Sequence, residues 1–229
     1  MILGIYGSSG LGREVLDLAR EVSKREETSK REEIKPTETW KRIVFINDFK
    51  KETVISGADV FTFTEFISVF PSDTSRIIIA VGEPKIRQML REKVTANGYR
   101  LQTIIHPTVF VGAETELGNG VIIQYGSFVS CNVKICDNVL IQPSAAIGHD
   151  SAIGQDTVIS SFAAISGMCK IGERTYIGVS VPIKENTSIG QDSIVGMGSV
   201  VVRDIPDNVV ALGNPARAMK NNESERVFH

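Results

Sequence analysis

The sequence predicts two units: an α/β domain with a small Rossmann-like parallel sheet over residues 1–104, and a parallel β-helix with a short tail over residues 105–229. Three observations carry this expectation. Aliphatic residues recur every sixth position through the second part. Strand-length apolar runs alternate with helical segments through the first. A glycine-rich loop, Gly7-Ser8-Ser9-Gly10-Leu11-Gly12, joins the first strand to the first helix.

ILGIY is a continuous apolar run of strand length, and the loop follows it at once. The next segment sets Val15, Leu16, Leu18, Ala19 and Val22 on one side, which is helical spacing. The charged stretch from Lys24 to Lys41 includes a solvated loop. RIVFIND is a second buried-type strand ending in Asn47 and Asp48. DVFTFTEFISVFP supplies a short strand and a helix, and RIIIAVG a third main strand ending at Gly82. EPKIRQMLREKVTANGY reads as an amphipathic helix with Ile86, Met89, Leu90 and Val94 on its apolar face, and LQTIIHP as the last strand before the repeat. Strands alternating with helices build a parallel sheet.

A loop between strand and helix lets backbone N–H groups and the helix N-terminus approach an anion. Its glycines run G-x-x-G-x-G, not the G-x-G-x-x-G of dinucleotide domains, and the sheet is short for such a domain. A sugar nucleotide suits it better than NAD; the alternative is a turn that needs glycine only for positive φ. Asp48 ends the second strand on the carboxyl edge and could accept from a base or ribose, or form an Asx turn with Asn47. Gly82 would lie on the same edge.

From Ile105 to Val201 the series Ile105, Val111, Leu117, Ile123 and onward holds without an insertion. A helix repeats near 3.6 and a flat strand at 2, so a sustained period of six signals a hexapeptide β-helix. Three hexapeptides close a triangular coil of eighteen residues. The next coil stacks about 4.8 Å above, so the aliphatics form buried ladders that no single coil could make. The flat flanks of such a prism invite self-association.

A net charge of −2 and a pI near 6.0 argue against a nucleic-acid partner. No segment approaches the roughly 20 apolar residues of a membrane span, and MILGIYGSSG lacks the basic start of a signal peptide, so the cytoplasm is expected. Cys131, Cys136 and Cys169 form no CxxC pair and read as packing thiols. Of three histidines, His229 is terminal and His106 precedes a proline at the β-helix entrance, where a junction role is the simpler reading. His149, in Ile147-Gly148-His149-Asp150, falls on an outward corner in mid-prism, either as a solvated polar residue or as a base that Asp150 could orient.

YGSSGLGRE, FIND, VGEPKIR, IIHPT, IGHDSAIG, SGMCKIG, GSVVVRDIP and GNPAR, in that order, resemble the motifs of one group of bacterial sugar acetyltransferases. These join a small nucleotide-binding domain to a left-handed β-helix, and include UDP-4-amino-sugar N-acetyltransferases and sialic-acid O-acetyltransferase-like proteins. The resemblance runs nearly end to end. It implies a left-handed coil, although ordinary parallel crossovers are right-handed. It also implies a homotrimer, and acetyl-coenzyme A between the β-helices of neighbouring subunits, with no metal. His149 is then the general base, Asp150 its orienting partner, and Gly167, one coil above, the N–H donor to the oxyanion. Gly167, Val179, Gly196 and Arg217 are the expected coenzyme A contacts, Arg217 lying in the closing GNPAR turn. Gly7, Ser8, Ser9, Gly10, Leu11, Asp48, Gly82 and Gln142 are the expected acceptor contacts.

Four departures from the family pattern are visible. Leu11 stands where members often have His, Gln142 where many have Asn, Val158 where some have a second His, and Glu83-Pro84 where the family has Asp-Asn. The expected activity is acetyl-CoA-dependent N-acetylation of a nucleotide-linked amino sugar for a surface glycan, with UDP the family's first choice. O-acetylation of sialic acid or a capsular sugar, and a non-catalytic role in a polysaccharide pathway, are the alternatives. A carbonic-anhydrase-like metal site would need several histidines, and His149 is alone within the coils.

Overall fold

The computed structural model describes residues 1–28, 40–223 and 226–227. Residues 29–39 of the expected charged loop and His229 lie outside that range. Two compact units result: Met1–Val81 with Leu90–Ile104, and Gly82–Met89 with Ile105–His229. The division is therefore discontinuous, where a single cut after residue 104 was expected.

The first unit contains β1 (Ile2–Tyr6), α1 (Gly10–Thr28), β2 (Arg42–Ile46), β3 (Val54–Ile55), β4 (Ala58–Phe61), α2 (Phe63–Val69), β5 (Ser75–Ile79), the end of α3 (Pro84–Ala96) and β6 (Arg100–Leu101). The sheet order is β3-β4-β2-β1-β5-β6. All pairs are parallel except the β3–β4 hairpin, whose turn residues Ser56 and Gly57 have positive φ. Central β1 has neighbours on both sides, with Ile5 opposite Phe45 and Ile78. Leu3 and Ile5 are fully buried, which explains the continuous apolar run. A capping box starts α2: Thr62 accepts from the Glu65 N–H, and Glu65 accepts from the Thr62 N–H. LQTIIHP is two strands, not one: β6 joins this sheet, and Ile104–Ile105 joins the first ladder of the β-helix.

In the second unit, two-residue strands recur every six positions and pair in parallel with the strand eighteen residues on, as in Val129↔Ile147↔Ile165↔Ile183. Three such ladders form a left-handed parallel β-helix. The inward aliphatics from Ile123 to Val201 are at most 3% exposed. The smaller residue two places earlier also points inward, and several of the Ser and Thr hydroxyls there find a carbonyl: Ser127 donates to Gln142 O at 3.0 Å, and Thr175 to Gly190 O at 2.7 Å.

The corners follow the same clock. From Glu114 to Gly198 every sixth residue has positive φ, including Phe162, Met168 and Arg174. A non-glycine residue costs about 1–2 kcal/mol there. From Asn132 to Gly198 each such turn hands its amide to a carbonyl of the coil below, as when Met168 N donates to His149 O at 2.7 Å.

One outward strip is apolar: Phe110, Phe128, Ala146, Ala164 and Pro182 stack in register, and the two phenyl rings lie 5.3 Å apart. The outward strip Glu116, Lys134, Ala152, Lys170, Ser188 is mostly polar.

Residues 82–89 belong to this unit because of Arg87, which is fully buried. Its guanidinium donates to Asn138 O at 2.9 Å and Oδ1 at 2.8 Å. The Asn138 amide returns a bond to Arg87 O and another to Asp156 Oδ1. Burial lowers the Arg87 pKa to about 10, against the opposing pull of Asp156. The expected apolar face of α3 is corrected here: Arg87 is inside and Met89 is 55% exposed. Carbonyl and amide partners make the burial of a guanidinium affordable where hydropathy alone would forbid it. Among the described residues no helix is long and apolar enough to cross a membrane.

Candidate active site

The mid-prism corner is built from residues eighteen apart. His149 Nδ1 lies 2.6 Å from Asp150 Oδ2, and Asp150 Oδ1 accepts from Asn132 Nδ2, one coil below, also at 2.6 Å. Bonds from the His149 ring and the Asn132 amide hold the Asp150 carboxyl below the ordinary carboxylate range. An ionised carboxylate only accepts. In the neutral imidazole the Nδ1 therefore carries the proton, and Nε2 presents a lone pair. About half of the His149 side chain is open to solvent.

Gly167 sits against that lone pair. A Cβ placed on it would be 2.6 Å from His149 Nε2, so only glycine lets the ring occupy this place. Its carbonyl accepts from Asn186 N at 2.9 Å, while its N–H donates to no acceptor among the described residues. The same corner continues one coil higher into a cavity of about 390 Å3, lined by Lys184, Glu185, Asn186, Thr187, Val202, Arg203 and Asp204.

The carboxyl edge of the sheet holds a second cluster, inside the first unit. Gly7 has φ +116, and a Cβ there would meet Ala80 O at 2.5 Å; a Cβ on Gly12 would meet Gly7 O at 2.1 Å. Gly10 is free of such constraints, and Ser9 and Gly10 are exposed. Ser8 Oγ accepts from Asn47 Nδ2 at 2.8 Å. Asn47 also forms the Asx turn, its Oδ1 accepting from Phe49 N at 2.9 Å.

Asp48 takes three internal donors: Tyr6 Oη at 2.6 Å, Lys93 Nζ at 2.7 Å and Phe63 N at 2.8 Å. Partial burial pushes its carboxyl up, but the bonds from Lys93, Tyr6 and Phe63 outweigh this and leave it lowered. Burial and the neighbouring Asp48 raise the Tyr6 phenol. The Lys93 ammonium lies over the Phe63 ring, 4.7 Å from its centroid.

The other expected residues are more scattered. Leu11 is half-buried in the first turn of α1. Gly82 falls in the second unit. Gln142 and Val179 lie in adjacent columns of the corner before the apolar strip, and Val179 is 37% exposed. Gly196 makes room for Leu212, whose Cδ2 would be 2.1 Å from an added Cβ. Arg217 is exposed on the final hairpin, opposite Leu212.

The sequence reading missed Asn132, which the eighteen-residue ladder would have placed below Asp150. It also missed Arg203, in the eighteen-residue column of His149, and Lys184, in the adjacent column of Gly148. Nothing in the local sequence marks Lys93, a polar residue of an amphipathic helix.

Residues 3–94 match the family described as PglD N-terminal domain. A curated relative, GDP-perosamine N-acetyltransferase of Escherichia coli O157:H7, is 28% identical over 134 residues, covering 58% of this chain and 56% of its own length. The chain thus spans little more than half the length of that relative. A solved structure, the acetyltransferase domain of PglB from Neisseria gonorrhoeae FA1090 in complex with acetyl coenzyme A, is 28% identical. It covers 95% of this chain and 98% of its own, with a TM-score of 0.85. PerB from Caulobacter crescentus, in complex with CoA and GDP-perosamine, is 29% identical, covers 95% and 97%, and has a TM-score of 0.80.

Proposed function

We propose that the chain, which is similar in sequence and fold to hexapeptide-repeat sugar acetyltransferases, acetylates the amine of a nucleotide-linked amino sugar. The observation that carries the proposal is the His149–Asp150–Asn132 relay with Gly167 against Nε2. Acetyl-CoA supplies an activated thioester carbonyl. His149 Nε2 takes the proton of the attacking amine as the C–N bond forms and the C–S bond breaks, and can return it to the departing sulfur. Asp150 fixes the tautomer and stabilises the imidazolium. The unengaged Gly167 N–H is the donor for charge gathering on the carbonyl oxygen.

Absence of a side chain at Gly167 and the cavity above it, where Lys184 and Arg203 stand beside Glu185 and Asp204, suit an extended thioester. Lys184 and Arg203 would face its phosphates, with Val179, Gly196 and Arg217 as further contacts. The turn from Gly7 to Gly12 would hold the acceptor's diphosphate at the start of α1, a helix without an acidic residue in its first turn. Ser8, Ser9, Gly10, Leu11, Asp48, Gly82 and Gln142 are the chain's proposed acceptor side. GDP stands beside UDP as the nucleotide, because two of the similar proteins above are named for GDP-perosamine or hold it.

The apolar strip of Phe110, Phe128, Ala146, Ala164 and Pro182 adjoins the His149 corner and is the proposed face of a homotrimer. Three free thiols suit the reducing cytoplasm. The test is thiol release from acetyl-CoA against UDP-, GDP-, CMP- and dTDP-linked amino sugars and free sialic acids. Turnover with an amino sugar, abolished by His149→Ala, is the expected result. Release only with sialic acids would replace N- by O-acetylation, and no release with any acceptor would overturn the reading.

A further inference from the structure

Phe49 is the feature of the sheet edge that acetyl transfer leaves unused. It is 90% exposed, more than any other large apolar side chain among the described residues. Its turn is nonetheless braced. Phe49 N donates to Asn47 Oδ1, Lys50 N to Asn47 O at 3.2 Å, and the Lys50 ammonium is paired with Glu65. The ring is thus held out in water by a turn that is already ordered, so a ligand stacking on it loses little entropy in fixing the loop.

Its place in the sheet says what such a ligand would be. The loops after β1 and β2 follow adjacent parallel strands and are tied together by the bond from Asn47 to Ser8. A diphosphate on the first loop brings its nucleoside over the second, because ligands of open α/β sheets lie across the carboxyl ends of neighbouring strands. The polar group expected to grip the nucleoside there, Asp48, is already engaged by Tyr6, Lys93 and the Phe63 N–H. The next residue offers a bare aromatic face instead.

We propose that Phe49 is the stacking platform for the nucleobase of the acceptor, an inference that rests on the nucleotide-sugar reading above. Stacking is tolerant of base identity, so Phe49 would supply affinity while selection among nucleotides comes from other groups.

The test titrates UDP, GDP, CMP and dTDP, and separately inorganic pyrophosphate, into the full chain and its Phe49→Ala and Phe49→Trp variants. Phe49→Ala should weaken the best-binding nucleotide roughly tenfold to a hundredfold and leave pyrophosphate unchanged. Phe49→Trp should retain affinity, and its added indole emission should be quenched by the nucleotide but not by pyrophosphate. Equal nucleotide affinity in wild type and Phe49→Ala would overturn the stacking role and leave nucleotide binding standing. Loss of affinity in both variants alike, or loss accompanied by a changed mass in light scattering, would show a structural or subunit contact instead, and overturns it too. If wild type binds no nucleotide, the nucleotide-sugar reading itself falls.

Discussion

Gly167→Ala probes the reacting corner with one carbon atom. The added Cβ would lie 2.6 Å from Nε2 and 2.7 Å from Cε1 of His149, where ordinary contact begins at 3.4 Å. The ring must retreat by about 0.8 Å, yet its Nδ1 is tethered to Asp150 at 2.6 Å, and Asp150 is tethered to Asn132. The ring therefore tilts away from the point where it must meet the amine. A misplacement of about 1 Å costs on the order of a hundredfold in rate, or about 2.7 kcal/mol in barrier. The site is half-open to solvent, so melting should hardly change. The assay is thiol release at saturating acetyl-CoA with the acceptor found above, in single variants and the double variant with His149→Ala. The alanine at 167 should cost about a hundredfold in wild type and far less once the imidazole is gone, because it acts mainly through that ring. Full turnover by Gly167→Ala, or the same penalty with and without His149, would refute the argument.

Other consequences are equally open to measurement. His149→Ala should keep acetyl-CoA affinity by calorimetry and lose turnover by roughly a hundredfold or more, with Asp150→Ala less severe because the base remains. Phe128→Glu should reduce the mass seen by light scattering; an unchanged trimer would move the assembly face elsewhere. Ile153→Asp puts an unpaired charge in a fully buried ladder and should abolish the soluble folded chain, so a variant with normal melting would contradict the repeat's inward register. Asp48 has a folded pKa below its ordinary 3.8, so its contribution to stability is present above that value and is lost as pH falls through the folded pKa. The melting difference between wild type and Asp48→Asn should accordingly shrink on acidification below about pH 4, and a constant difference would mean that the carboxylate's charge is not what matters.

The coils were readable because their geometry leaves one option: an inward aliphatic every sixth residue can be buried only by stacking. His149 stood out for the same reason, since a period that assigns every residue a direction also exposes the polar one it sends outward. Arg87 escaped notice because a lone arginine on an amphipathic helix carries no sign that a carbonyl and an amide await it fifty-one residues later. The two-residue strand Val54–Ile55 is too short for periodicity to reveal. Asp48 was legible as an edge residue but not as a partner of Tyr6 and Lys93, because those contacts join positions distant in sequence.

The buried arginine also decides how this polypeptide can be cut. A fragment beginning at Ile105 would contain every hexapeptide, yet it would leave Asn138 O and Oδ1 without the guanidinium that satisfies them. Glu83, whose carboxylate accepts from Val227 N at 3.0 Å, would be missing as well. Orphaned polar groups of this kind cost about 1–3 kcal/mol each. Modules of such enzymes are therefore best exchanged with residues 82–89 travelling alongside the coils, as a short upstream strap whose loss a boundary drawn by repeat alone would overlook.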